Sequence, residues 1–249
     1  MRILTQETLT KPLASQTLLT LNMPNIDALF PGFAAGDFAV LHGAPGILQL
    51  SLLLCVRAQL PSQLGGLGTN VVFVDGGNTF RLYQVSRIAQ LHSLDPRQVL
   101  NRIYISRAFT AYQIASIVFE KLGEIVDRFN AKLAVISDIA GLFLDKDVPA
   151  EEARKVFSRL ALHLSRLAEE KQLTILATYS PHYYSRRNTF LQALVCARAN
   201  TVMFVRSTRH GQELVLEKHL RFKLGRAEFP SNNLTLADFM ENMEHGKNC

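Results

Sequence analysis

Four things are scarce in this sequence, and each scarcity removes a class of protein. Cysteine occurs three times, at Cys55, Cys196 and Cys249. Positions so far apart make neither a metal-ligand spacing nor a disulfide framework, which fits a reducing compartment. Long apolar runs are missing, since no window approaches the ~18 consecutive apolar residues of a membrane span. The opening Met1-Arg2-Ile3-Leu4-Thr5-Gln6-Glu7 lacks the charged-then-apolar layout of a signal peptide. A cytoplasmic protein without a membrane partner is expected. Low-complexity stretches are also absent, which argues against disorder.

What is present suffices for a large core. The 249 residues are 48% apolar and 19% charged, and they are expected to fold as one domain over 1–249, with an arm at 1–17 and a tail at 231–249. A net charge of +6 is compatible with a nucleic-acid partner without requiring one.

The stretch from Gly36 to Leu60 organises the rest. The apolar run Phe38-Ala39-Val40-Leu41 is followed by Gly43-Ala44-Pro45-Gly46 and then by an apolar-rich helical stretch. Strand, tight loop and buried helix is the order that frames the phosphate-binding loop G-x-x-x-x-G-K-[ST]. Set on that frame from Gly43, the second glycine is Leu48, the lysine is Gln49 and the magnesium-binding hydroxyl is Leu50. The frame is kept without its chemistry. Gly43, Ala44, Pro45 and Gly46 then read as a tight turn, with residual nucleotide binding as the alternative.

Strands and helices alternate along the chain. Leu18–Leu21 suggests a short edge strand and Asn25–Phe30 one or two helical turns stopped by Pro31-Gly32. Four further strands are expected at Val71–Asp75, Arg102–Ser106, Leu133–Asp138 and Leu173–Thr178. Helices are expected from Asn78 to about Leu91, from Ala111 to Phe129 and from Ala150 to Glu170. Val202–Arg206 and Glu213–Glu217, with a turn at His210-Gly211, read as an antiparallel hairpin, and Asn232 onward as a last strand or frayed helix. The fold class is therefore α/β, a mostly parallel sheet with helices on both faces and a C-terminal antiparallel hairpin.

Several strings in this order resemble the ATPase core of the archaeal and eukaryotic RecA-type recombinases, the RadA family and its paralogues. They are Gln59-Leu60-Pro61, Asp75-Gly76-Gly77-Asn78-Thr79-Phe80-Arg81, Ser106-Arg107-Ala108-Phe109 and Arg166-Leu167-Ala168-Glu169, and the likeness runs from about Leu18 to Phe229. The resemblance implies a RecA-like three-layer fold. The family's N-terminal helical domain and Phe-x-x-Ala polymerisation segment find no counterpart in the sequence.

The departures from the family fall on the positions that would touch nucleotide. The family's catalytic glutamate matches Gly77, and the fourth-strand aspartate that steadies Mg²⁺ matches Ser137, with Asp138 one residue late and, by alternation, facing the other way. The Asn-Gln pair after the fifth strand matches Tyr179-Ser180, and a downstream Gly-Gly-Asn matches Leu191-Gln192-Ala193. Phosphoryl transfer is catalysed almost wholly by positioning and electrostatics, so no ATP or Mg²⁺ cofactor, no metal site and no catalytic residue are expected. Asp75 and Asp138 read as relics or capping groups.

In the family two loops, after the fourth and fifth strands, hold DNA. Here the first, Leu144–Glu152, is short and net acidic, a poor phosphate binder. The second, Tyr179–Asn188, carries three tyrosines with Arg186 and Arg187, and rings beside guanidinium groups are what single-strand binders use. Tyr183, Tyr184, Arg186 and Arg187 are the candidate DNA-binding residues; the alternative is a loop that packs on a neighbouring subunit. Lys155, Arg159, His163 and Arg166 form a stripe that reads as a solvated helix face. A further basic group lies between Arg206 and Arg226. The expected protein is a non-catalytic recombinase paralogue, a pseudo-ATPase that modulates recombination and repair by binding single-stranded DNA, an active RadA-type recombinase or another paralogue. The alternatives are an atypical active ATPase of the same fold and a purely structural subunit of a paralogue complex.

Overall fold

The structure, a computed structural model, describes residues 17–209 and 211–229. The expected N-terminal arm, the position of His210 in the hairpin turn, Cys249 and the element expected from Asn232 lie outside the described residues, apart from Thr17. Among the described residues eight strands form one sheet in the order β3-β2-β4-β5-β1-β6-β7-β8. They are β1 (Phe38–Gly43), β2 (Asn70–Asp75), β3 (Ile103–Arg107), β4 (Ala131–Ser137), β5 (Thr174–Tyr179), β6 (Thr201–Thr208), β7 (Gly211–Lys218) and β8 (Gly225–Glu228). The run from β3 to β6 is parallel, and β7 and β8 add antiparallel.

Strand alternation divides the core into two layers. Ala39, Leu41, Val71 and Phe73 point into one, and Phe38, Val40, Val72 and Val74 into the other. The first layer is covered by α2 (Gly46–Arg57), α3 (Leu82–Leu91) and α4 (Pro96–Asn101). The second is covered by α5 (Ala111–Ser116), a π-helical turn (Ile117–Lys121), α6 (Leu122–Arg128), α7 (Ala150–Lys171) and α8 (Arg186–Arg198). A sheet buried on both faces needs near-continuous apolar strands, which explains runs such as Val71-Val72-Phe73-Val74.

Several boundaries differ from the sequence expectation for local reasons. The segment at Leu18–Leu21 makes only an isolated bridge, Leu19 with Phe33, and is no edge strand. The helix expected from Asn78 begins at Leu82, because Asn78 takes a left-handed φ of 52° and the Asp75 carboxylate accepts the Thr79 and Phe80 N–H groups at 2.8 and 3.3 Å. Helices α4 and α8 were not anticipated. Asp95 caps the first through the Arg97 N–H at 2.9 Å, and Ser185 caps the second through the Asn188 N–H at 3.0 Å. The long helix expected from Ala111 to Phe129 is interrupted by the π-helical turn.

At the N-terminal margin Arg57 is 1% exposed. Its guanidinium donates to the Thr20 carbonyl at 2.7 Å, the Thr20 hydroxyl at 3.0 Å and the Leu64 carbonyl at 2.8 Å. This staples the incoming chain and the 62–64 turn to the end of α2.

Candidate functional site

The sheet delivers the carboxyl ends of its parallel strands to one edge, where open α/β folds place ligands. At the end of β1, Gly43 has φ 111°, and a side chain there would run into the Val205 carbonyl and the Phe204 ring. Helix α2 begins at Gly46, so the turn between strand and helix is only Ala44-Pro45. The amides that would face a phosphate are already bonded: Ala44 N–H donates to Val205 O at 2.7 Å, Ile47 N–H to Ala44 O at 3.1 Å and Leu48 N–H to Pro45 O at 3.2 Å. Leu50 is fully buried, Gln49 is 6% exposed, and the Gln212 side chain from β7 packs over Gly46.

Beside the turn lies a cluster that sequence reading missed. His42, buried at the end of β1, has Nε2 2.7 Å from Glu217 Oε2 of β7 and Nδ1 3.0 Å from Gln192 Nε2 of α8, and its ring stacks on Phe204 at 5.0 Å. The amide N–H donates to Nδ1, leaving the Nε2–H to donate to the carboxylate. The seven histidines look scattered along the chain, and only the pairing of β1 with β6 and of β6 with β7, with α8 laid alongside, brings these partners together.

The ends of β2 and β4 meet at Gly77. Asp75 is wholly buried, capping the 76–80 turn and lying 3.4 Å from Arg107 Nε. The Ser137 hydroxyl is in contact with that of Thr79. Asp138 departs from the expectation that it would face away. It leaves the strand with φ 48°, so alternation no longer governs it. A Cβ on Gly77 would stand 2.8 Å from Asp138 Cβ and 3.0 Å from its Oδ2, and one on Gly141 would collide with the same carboxylate. The first carbon of any side chain at 77 would press on Asp138 and Thr79.

Asp138 also reaches the second loop. Its N–H donates to Thr178 Oγ1 at 2.9 Å, and its Oδ1 is 2.9 Å from His182 Nε2. Tyr179, expected in the loop, is instead the last residue of β5 and 2% exposed. Its hydroxyl donates toward Asn188 Oδ1 at 2.6 Å and Asn188 O at 2.9 Å, and burial raises its pKa. Asn188 Nδ2 in turn donates to the Tyr183 carbonyl at 3.1 Å. The loop is thus held at His182 and at Asn188, and between these points Tyr183 is 97% and Tyr184 90% exposed.

The two candidate arginines part company. Arg186 opens α8 on the surface beside the tyrosines. Arg187 is turned to the first loop, donating through Nη1 to Asp145 O at 3.1 Å and Val148 O at 3.0 Å, with its Nε and Nη2 buried. These bonds tie the acidic first loop to α8. The helical stripe is exposed at Lys155, Arg159 and Arg166, and Arg159 lies 5.6 Å over the Phe119 ring. In the hairpin region Arg206 and Arg226 flank Glu213 at 2.6 and 3.6 Å, and Lys218 donates to the Ala197 carbonyl at the end of α8 at 2.9 Å. Among the described residues no cluster of His, Cys, Asp and Glu could hold a metal ion, and no helix is long and apolar enough to cross a membrane.

Fold and site together define a protein built on the phosphate-loop α/β plan, with the ends of β1, β2, β4 and β5 as its candidate working edge. The Rad51 family model matches residues 20–183, and the chain belongs to that family. It is 32% identical over 138 residues to the DNA repair and recombination protein RadA of Cenarchaeum symbiosum (strain A), an alignment covering 53% of this chain and 34% of that protein. The chain thus matches about a third of the length of that relative.

Proposed function

We propose that this Rad51-family protein acts in recombination and repair by contact rather than by nucleotide turnover, binding single-stranded DNA through the second loop and assisting an active recombinase of the same family. The observation that carries the reading is the pair of almost fully exposed tyrosines, Tyr183 and Tyr184, beside Arg186 on a loop pinned at both ends. A loop whose backbone is already anchored has less entropy to lose when a base stacks on its exposed rings, and each stacked base contributes about 1–3 kcal/mol.

The residues around the Ala44-Pro45 turn do not fit a magnesium nucleotide. Backbone amides spent on Val205 O and on the carbonyls of Ala44 and Pro45, an apolar Leu50 and an uncharged Gln49 leave about four phosphate charges without a cation. Gly77 supplies no group to orient water, and Asp138 crowds the first carbon of any side chain there. This supports a pseudo-ATPase. The family match and the kinship with a protein named for repair and recombination support the cellular role and a recombinase partner.

A gel-shift series at low salt with an oligo-dT strand tests the reading. Tyr183→Ala and Tyr184→Ala should each weaken binding about 5- to 100-fold, and Arg186→Ala less. Absence of binding by the unsubstituted protein would remove DNA from the proposal and leave a subunit that docks on protein alone.

A further inference from the structure

One side-chain pair outside the stacking residues anchors the start of the second loop. We propose that Asp138 and His182 form a proton-dependent latch that positions Tyr183 and Tyr184 for stacking, so that strand affinity is highest where His182 carries its proton. The proposal rests on the strand-binding reading above and adds to it a positioning pair and a dependence on pH.

The geometry is that of a fixed post and a movable bolt. Asp138 is the post: its left-handed backbone, its N–H bonded to Thr178 Oγ1 at 2.9 Å and its carboxylate packed between Gly77 and Gly141 leave it one position. His182 is the bolt, half-buried, with Nε2 2.9 Å from Asp138 Oδ1, and it is directly followed by Tyr183 and Tyr184. Apart from this contact, the described bonds that hold the loop interior come from Asn188 Nδ2, at 3.4 Å to His182 O and 3.1 Å to Tyr183 O. If the bolt is released, the tyrosines hang from one side only.

The groups facing His182 leave Asp138 as its charge partner. From β5 comes Tyr179, its ring 6.2 Å away and its hydroxyl kept neutral by burial. From α8 come Arg186, exposed on the surface, and Arg187, turned away to the Asp145 and Val148 carbonyls. The hydrogen bond to Asp138 raises the histidine pKa above its ordinary 6.5, against a smaller opposing effect of burial. A group so shifted contributes its full attraction below the ordinary value and loses it as pH rises through the raised one. Above that point a neutral N–H can still donate, but a charge-assisted bond is roughly twice as strong as a neutral one. The fraction of molecules with the loop in its binding shape then falls, and apparent affinity falls with it.

Fluorescence anisotropy with a labelled oligo-dT strand at constant ionic strength, from about pH 6 to about pH 8.5, tests the latch. The unsubstituted protein should lose affinity by about three- to tenfold across that range. His182→Asn, which keeps a donor but cannot titrate, should bind with a flat profile, and in Asp138→Asn, which keeps an acceptor without the charge, the loss of affinity should move to lower pH together with the His182 titration. A slope shared by all three proteins overturns the latch and leaves strand binding standing. No binding at any pH overturns the strand-binding reading and this proposal with it. A readout without DNA separates the two: the ring-proton NMR titration of His182 should move to lower pH in Asp138→Asn, and an unchanged titration overturns the latch.

Discussion

At single-residue scale Gly77 and Asp138 pack directly on one another, a Cβ on Gly77 standing 2.8 Å from Asp138 Cβ. Absence of a side chain at 77 is legible in the sequence, but the reason it stays absent is not: it depends on a left-handed Asp138 that strand alternation places on the wrong side. Restoring the lost groups should therefore fail. A chain carrying Gln49→Lys, Leu50→Thr and Gly77→Glu together is expected to show no ATP hydrolysis above buffer, because the Ala44 amide remains bonded to Val205 O of β6 and the Ile47 and Leu48 amides to the carbonyls of the turn. Gly77→Glu alone should cost about 1–3 kcal/mol in urea unfolding, the range for forcing atoms into filled space. Turnover in the triple variant would contradict this account of the site.

Arg186 and Arg187, adjacent in sequence, should also respond differently to substitution. Counterion release gives a slope of about −0.7 in log affinity against log salt for each phosphate neutralised on a single strand. Arg186→Ala should reduce that slope by up to this amount. Arg187→Ala should leave the slope nearly unchanged and instead lower stability, since it leaves the Asp145 and Val148 carbonyls without their donor. Anisotropy titrations across salt concentrations, paired with unfolding curves, distinguish these outcomes.

Among elements, the loop between β7 and β8 is held by an imidazole whose role depends on staying neutral. His219 Nδ1 accepts the Arg221 and Phe222 N–H groups, both at 3.0 Å, and the ring stacks on Phe222 at 4.2 Å. Burial, aided by the nearby Arg221 charge, lowers its pKa from 6.5 to about 4. The native state then resists a proton that the unfolded chain accepts, so stability present above pH 6.5 is lost as pH falls toward about 4. With the solvent screening of a half-exposed group the loss is on the order of 1 kcal/mol. His219→Asn should flatten the unfolding profile over that window, and an unchanged profile would refute the assignment.

The same scale shows what periodicity can and cannot reveal. The strands β1, β2, β4 and β5 and helix α7 are legible because burial on two faces, or on one helical stripe, leaves a simple apolar pattern. Helix α8 is not, since only Leu191 and Val195 of its residues are buried and its start is set by Ser185. The second loop is half legible: its aromatic and basic composition is visible in the chain, whereas the burial of Tyr179 and the diversion of Arg187 depend on contacts with Asn188 and the first loop. His42, Glu217 and Gln192 are separated by up to 175 positions, and no local pattern links them.

For the whole molecule, the two core layers and the eight-stranded sheet are those of a Rad51-family protein, while at the ends of β1, β2 and β4 the backbone amides and carboxylates are engaged in internal contacts. That engagement has a thermodynamic consequence that one melting experiment reads. A ligand that binds only the native state stabilises it by RT ln(1 + [L]/Kd), and about 1 kcal/mol moves the midpoint of a chain this size by roughly 2–4 °C. If the turn at Ala44-Pro45 holds Mg-ATP no better than about 10 mM, then about 1 mM nucleotide adds less than about 0.1 kcal/mol, and the midpoint should not move measurably. Oligo-dT at about a hundred times its Kd should add about 2.7 kcal/mol and raise the midpoint by roughly 5–11 °C. In the double variant Tyr183→Ala/Tyr184→Ala the DNA shift should shrink and the nucleotide response stay flat. The reverse pattern, a rise of several degrees with Mg-ATP and none with DNA, would mean that the closed turn opens for nucleotide and that the exposed tyrosines serve a protein contact.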